Sequence, residues 1–219
     1  MESKLIIFDL DGTLLDTSPG FFSSIAETAR KNGLKEPDAE ELRTFIGPPI
    51  QDSFKRFYSV SAEEADALAA DFRDDYANRT LLMATPYPGI FEAIETLIGQ
   101  GHKIAVCTYK RQSYALPLLD HFGFTRYTGL IYGSDSENKF TKSDLLAQCI
   151  AESGFEKQNA LLVGDTGSDL KAAADVGIPL VAATYGFGFT EDNIRGIGFP
   201  LIASISSPSQ LPTKIQTLS

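Results

Sequence analysis

Short apolar runs alternate with amphipathic stretches along this chain. Residues 5–9, 103–108, 129–132, 160–164 and 179–183 read as strands. The run Ile104-Ala105-Val106-Cys107 is apolar throughout, as a strand covered on both faces should be. Between these runs, residues 90–100, 111–122, 142–153 and 169–176 carry helical spacing, the last stopped by Gly177 and Pro179. A further strand at 199–203 and a helix from about 208 to 218 complete the series. Such alternation predicts an α/β fold built on a mostly parallel sheet with helices on both faces.

Residues 17–83 follow another pattern. Stretches 21–32, 38–45, 51–58 and 62–78 have helical spacing and no strand among them, so a helical insertion is expected after the first strand. Its far boundary is expected near Ala84-Thr85-Pro86-Tyr87-Pro88-Gly89, where two prolines and a glycine punctuate the chain. The expected division is an α/β domain from 1–16 and 84–219, with a small all-helical domain at 17–83. A chain of 219 residues suits that arrangement. No internal repeat is evident, and the Ser/Pro cluster at 204–209 reads as a loop.

Composition narrows the partners. A net charge of −10 argues against a nucleic-acid binder and against an anionic membrane surface, both of which need basic patches. An anionic substrate would have to be captured by local charges or a metal. Cys107 and Cys149 sit in apolar segments at no metal-binding spacing, so buried, reduced thiols are expected. The N-terminus runs directly into the first strand without room for a signal peptide, and no apolar run approaches 18 residues, so the cytoplasm is the expected compartment.

The first strand delivers two carboxylates, Asp9 and Asp11, onto the Gly12-Thr13 turn. Residues i and i+2 of a strand share a face. Neighbouring carboxylates raise one another's pKa unless a cation compensates, and hard Mg²⁺ takes carboxylates together with phosphate oxygens. A turn rich in Asp and Gly would account for the same residues structurally. A second acidic segment, Gly164-Asp165-Thr166-Gly167-Ser168-Asp169, follows the run at 160–164. Ligands of open parallel sheets bind at the carboxyl ends of strands, so the two segments can meet, although Asp169 also suits the first turn of a helix. Thr108 ends another strand with a hydroxyl able to donate to a phosphate. Lys142 opens a helix from which an ammonium could reach a phosphate and a carboxylate.

In this order, these four elements resemble the haloacid dehalogenase superfamily of phosphohydrolases, and Asp9-Leu10-Asp11-Gly12-Thr13-Leu14-Leu15-Asp16 is similar to its most specific motif. Phe45-Ile46-Gly47-Pro48-Pro49, Tyr87-Pro88-Gly89, Gly133-Ser134-Asp135 and Thr184-Tyr185-Gly186 look like the phosphoglycolate-phosphatase-like branch, which has a Rossmann-like core and a small helical cap. The resemblance implies a phosphomonoester hydrolase working through an aspartyl-phosphate, with Asp9 as nucleophile and Asp11 as general acid and base. It implies Mg²⁺ held by Asp9, the backbone carbonyl of Asp11, Asp165 and Asp169. Thr108 and Lys142 would bind the phosphoryl group, with backbone amides near Leu10–Gly12 and at Tyr109. Lys139 is the fallback for Lys142. The bulky Tyr109 departs from the small residue usual after the threonine.

The same resemblance has the cap closing over the site, with Gly47-Pro48-Pro49 touching the leaving group and Arg43, Lys55 and Arg56 as anion contacts. The substrate would be a small phosphorylated metabolite. A nucleotidase, a pyrophosphatase or a phosphomutase would satisfy the same residues, and a non-catalytic phospho-receiver shares the acidic pocket with Thr and Lys. Nothing in the pattern selects between a monomer and a homodimer. Asp16 could serve as a hinge acceptor or as the N-cap of the following helix, and Lys110 could lend charge beside Thr108 or face solvent.

Overall fold

The computed structural model describes residues 2–135 and 139–217. The chain divides into two compact units, one comprising 1–16 and 85–219, the other 17–84. In chain order the first unit opens with β1 (Leu5–Phe8) and β2 (Leu15–Asp16).

The second unit holds α1 (Ser18–Lys31), α2 (Ala39–Arg43), α3 (Ile50–Tyr58) and α4 (Ala62–Asp75). Asp38 with Glu41, and Ser61 with Glu64, form capping boxes that start α2 and α4. The apolar positions bring aromatic rings together: Phe21 meets Phe72 at 5.1 Å and Phe45 meets Phe54 at 5.5 Å between centroids, both edge to face. The helical pattern expected through residue 78 continues past Asp75 as a π turn, Tyr76–Thr80. The N-cap of α1 is Thr17 rather than Asp16, which instead belongs to β2.

The first unit resumes with β3 (Thr85–Pro86), α5 (Ile90–Gly99), β4 (Lys103–Arg111), α6 (Gln112–His121), β5 (Ile131–Ser134) and α7 (Lys142–Ser153). It ends with β6 (Ala160–Gly164), α8 (Gly167–Val176), β7 (Leu180–Ala183), β8 (Leu201–Ile205) and α9 (Leu211–Thr217). Among the described residues, six strands form one sheet in the order β5-β4-β1-β6-β7-β8, every neighbouring pair parallel. The expected α/β class is therefore the observed one.

Several boundaries moved. β4 runs three residues beyond Thr108, and β8 takes in Ser204 and Ile205, which read as loop. Residue 218, the expected end of the last helix, and residues 136–138 of the 133–141 loop lie outside the described residues.

Strand periodicity explains the core. Leu5, Ile7, Ala105, Cys107, Leu162 and Leu180 face one side and pack with Leu145, Leu146, Cys149 and Ala173 of α7 and α8. Ile6, Phe8, Ile104 and Val106 alternate with them and are equally buried. Sheet and flanking helices thus exclude water from both faces of the central strand, which holds the chain leading to Asp9 rigidly in place.

Cys107 and Cys149 are buried and unpaired by disulfide. No helix among the described residues is long and apolar enough to cross a membrane.

Candidate active site

Register brings the acidic segments together. Phe8 is level with Val106 of β4 and Val163 of β6. One residue later the chain emerges at Asp9, whose amide donates to the Val163 carbonyl at 2.9 Å. Asp165 and Asp169 leave β6 beside it, and carboxylate oxygens of Asp9, Asp165 and Asp169 all lie within 4.8 Å of one another.

Each of the three is nearly or fully buried. Asp165 is oriented by the Phe187 amide on Oδ2, at 2.7 Å, and by the Thr13 hydroxyl on Oδ1, at 3.3 Å. Asp169 is at once a cap and a member of the cluster. Its Oδ2 accepts from the Thr166 amide at 2.9 Å and hydroxyl at 2.8 Å, closing the first turn of α8, which leaves Oδ1 turned inward.

Lys142 supplies the compensating charge. A capping box between Thr141 and Asp144 fixes Lys142 as the first residue of α7. From there its Nζ stands 3.0 Å from Asp9 Oδ1 and 2.5 Å from Asp169 Oδ1, with 6% of the side chain exposed. Burial works against the ammonium, but the Asp169 and Asp9 carboxylates outweigh it and raise its pKa. Lys139, by contrast, is exposed.

One ammonium does not balance three buried carboxylates. Burial raises the Asp9 carboxyl to about 6, Lys142 opposing and Asp169 and Asp11 adding to it. Burial raises Asp165 to about 8, reinforced by Asp9 and Asp169 and opposed by the Phe187 amide. Asp9 Oδ1 and Asp169 Oδ1 are buried and ion-paired to Lys142 without receiving an aligned hydrogen bond. Hard oxygen donors, close spacing and unsatisfied lone pairs together fit a small divalent cation such as Mg²⁺.

Asp11 stands apart from this cluster. Its carboxylate meets Lys110 Nζ at 2.9 Å, so Lys110 does not simply face solvent. Thr108 is buried, and its Oγ1 accepts from the Lys110 amide at 3.2 Å. Tyr109 keeps 44% of its surface exposed and borders a cavity of about 210 Å³ with Lys142, Ser143 and Ser168.

Gly12, expected among the phosphoryl-binding amides, has its N–H committed to the Leu15 carbonyl at 2.9 Å. Its structural need is plain: φ is +79°, and a Cβ would lie 2.1 Å from Asp165 Oδ2. In the helical unit, Arg43 closes α2 with an exposed side chain 4.0 Å from Glu40, and Gly47 adopts φ +106° in the segment before α3.

Sequence reasoning missed the roles of Thr13, Thr166 and the Phe187 amide; it weighed Lys110 beside Thr108 but not its pairing with Asp11, and quoted Gly186 without its close approach to Gly12 and Asp165. Thr-x-x-Asp at 166–169 was a readable capping signal. A backbone amide such as that of Phe187 has no side-chain signature.

The family described as haloacid dehalogenase-like hydrolase matches residues 6–183. The chain is 34% identical over 191 residues to a 5'-nucleotidase of Pseudomonas aeruginosa, covering 87% of this chain and 86% of that protein. It is also 34% identical over 202 residues to a phosphoglycolate phosphatase of Mesorhizobium japonicum, covering 89% and 88%. Among solved structures, a haloacid dehalogenase-like family hydrolase from Streptococcus pneumoniae superimposes with a TM-score of 0.87 at 27% identity, over 98% of this chain and 99% of that one.

Proposed function

Since the chain belongs to the haloacid dehalogenase-like hydrolase family, we propose that it is a Mg²⁺-dependent phosphatase of small phosphomonoesters acting through an aspartyl-phosphate. The observation that carries this reading is the convergence of Asp9, Asp165 and Asp169 around Lys142, with Asp11 held separately by Lys110.

Asp9 attacks phosphorus and displaces the alcohol, which takes a proton from Asp11 as the P–O bond breaks. Asp11 then accepts a proton from the water that cleaves the acyl phosphate, returning Asp9 to its carboxylate and releasing inorganic phosphate. Thr108 and Lys142 hold the phosphoryl oxygens, the lysine ammonium offsetting charge on the transferring group. Asp9, Asp165, Asp169 and the Asp11 backbone carbonyl would hold Mg²⁺, which when bound supplies positive charge against the phosphoryl oxygens. The helical insertion is assigned the selection of the leaving group, with Arg43 and Gly47 as the residues to vary first.

Turnover of p-nitrophenyl phosphate with Mg²⁺, abolished by EDTA, tests the chemistry; stoichiometric phosphorylation without turnover would instead indicate a receiver. A panel of 2-phosphoglycolate, nucleoside 5'-monophosphates and pyrophosphate, read as kcat/KM, tests the substrate class. The likeness to a 5'-nucleotidase supports a nucleoside monophosphate as the second reading. Appearance of an isomerised sugar phosphate in place of free phosphate would mark a mutase.

A further inference from the structure

We propose that Lys110 is a positioning residue of this site, fixing the Asp11 carboxylate through its ammonium and the Thr108 hydroxyl through its amide. The inference rests on the reading of Asp11 as the proton-transfer group. Lys110 is well placed for the task because β4 does not stop at Thr108. The strand continues to Arg111, which pairs with Ser134 of β5, and the Ser134 hydroxyl donates to the Tyr109 carbonyl at 2.9 Å. The backbone at Lys110 is therefore held on both sides.

The amide of Lys110 donates to Thr108 Oγ1 at 3.2 Å. A hydroxyl accepting one hydrogen bond keeps its own proton to donate elsewhere, which aims Thr108 at an incoming oxygen. The side chain, with 9% exposed, carries its ammonium to 2.9 Å from Asp11 Oδ1.

Asp11 needs such an anchor. It lies on the turn in which the Thr13, Leu14 and Leu15 amides all donate to the Leu10 carbonyl, and its side chain is 29% exposed. A carboxylate at a partly open turn samples several rotamers, and proton transfer requires one. The two lysines thus divide three of the four aspartates, Lys142 serving Asp9 and Asp169 and Lys110 serving Asp11, while Asp165 is held by the Phe187 amide and the Thr13 hydroxyl.

The test compares full-length wild type with Lys110→Met, Lys110→Gln and Lys110→Arg, assayed with Mg²⁺ on 2-phosphoglycolate and on p-nitrophenyl phosphate. Loss of the anchor should lower kcat on the alkyl ester by about 10- to 100-fold with KM within threefold, below the full range of a lost proton-transfer group. The fall should be smaller with p-nitrophenyl phosphate, whose leaving group departs without a proton. Lys110→Arg should recover activity to within a few-fold, and Lys110→Gln should repeat the split if the methionine variant folds poorly. In an Asp11→Asn background, Lys110→Met should add no further loss.

A raised KM with unchanged kcat would make Lys110 a substrate contact and overturn the proposal. So would an undiminished kcat, or an equal loss with and without Asp11. Full turnover by Asp11→Asn, or no phosphomonoester turnover by wild type, would instead bring down the reading beneath it. An impaired Asp11→Asn beside an intact Lys110→Met defeats the Lys110 assignment alone.

Discussion

Lys142 Nζ and Asp169 Oδ1 stand 2.5 Å apart, and neither group has meaningful access to solvent. Breaking such a pair from one side leaves a buried charge without its partner, at a cost of about 3–5 kcal/mol. Lys142→Met is therefore expected to destabilise the metal-free protein by that order in urea unfolding and to lower turnover by at least 100-fold. Lys139→Met, at an exposed position, should stay within a few-fold of wild type in both measurements.

Asp9→Asn separates chemistry from folding. The amide cannot form the acyl phosphate, so turnover should fall on the order of 10⁴-fold or more. Stability should hold or rise, because one member of a crowded carboxylate cluster is neutralised. Full Mg²⁺-dependent activity in this variant would remove Asp9 from the role of nucleophile.

The cluster also makes a pH prediction. Asp9 and Asp165 ionise near 6 and 8 in the metal-free fold, above the usual carboxylate value of 3.8. The folded state then binds more protons than the unfolded chain between about pH 4 and 8, so their contribution to stability declines as pH rises through that window. His102, whose imidazole is depressed by burial, acts in the opposite sense near its ordinary 6.5. The measurement is accordingly a difference: thermal unfolding of EDTA-treated wild type should lose stability from pH 5 to 8 relative to Asp165→Asn. Added Mg²⁺ should raise the wild-type midpoint more at pH 8 than at pH 5.

Gly12→Ala and Gly186→Ala probe the close approach of two loops. A Cβ on Gly12 would meet Asp165 Oδ2 at 2.1 Å, and one on Gly186 would meet the Gly12 carbonyl at 2.3 Å. Gly12→Ala adds the strain of a positive φ. Each variant should lose roughly 1–3 kcal/mol of stability and bind Mg²⁺ more weakly by calorimetry. A Gly12→Ala protein with wild-type stability and metal affinity would show that the turn and Asp165 are free to separate.

Much of the architecture is written in local signals. The apolar runs at β1 and β6 identify central parallel strands, and their shared direction puts Asp9 and Asp165 at the same edge. Residues 142–153 are legible as a helix to the residue, because Thr141 and Asp144 cap its start and Gly154 ends it. The end of β4 was hidden: its apolar pattern stops at Cys107, while the strand runs on past an irregularity in register to Arg111, which pairs with Ser134 and needs no apolar side chain to do so. The pairing of Lys110 with Asp11 depends on that extension, as they are 99 residues apart in sequence. The choice of Lys142 over Lys139 is readable from the amphipathic helix that Ser143-Asp144-Leu145-Leu146 continues, but the burial of its ammonium between Asp9 and Asp169 is not.

Asp16 and Thr85 are partners in the short antiparallel ribbon of β2 and β3. The polypeptide consequently exits the α/β unit and returns to it at a single doorway. Everything between those two residues can be lengthened, shortened or exchanged by an edit at one spot, spliced with nothing more than a hairpin turn. The order of the six parallel strands is indifferent to such an exchange. Selection can therefore revise what is inserted without re-threading the catalytic layer.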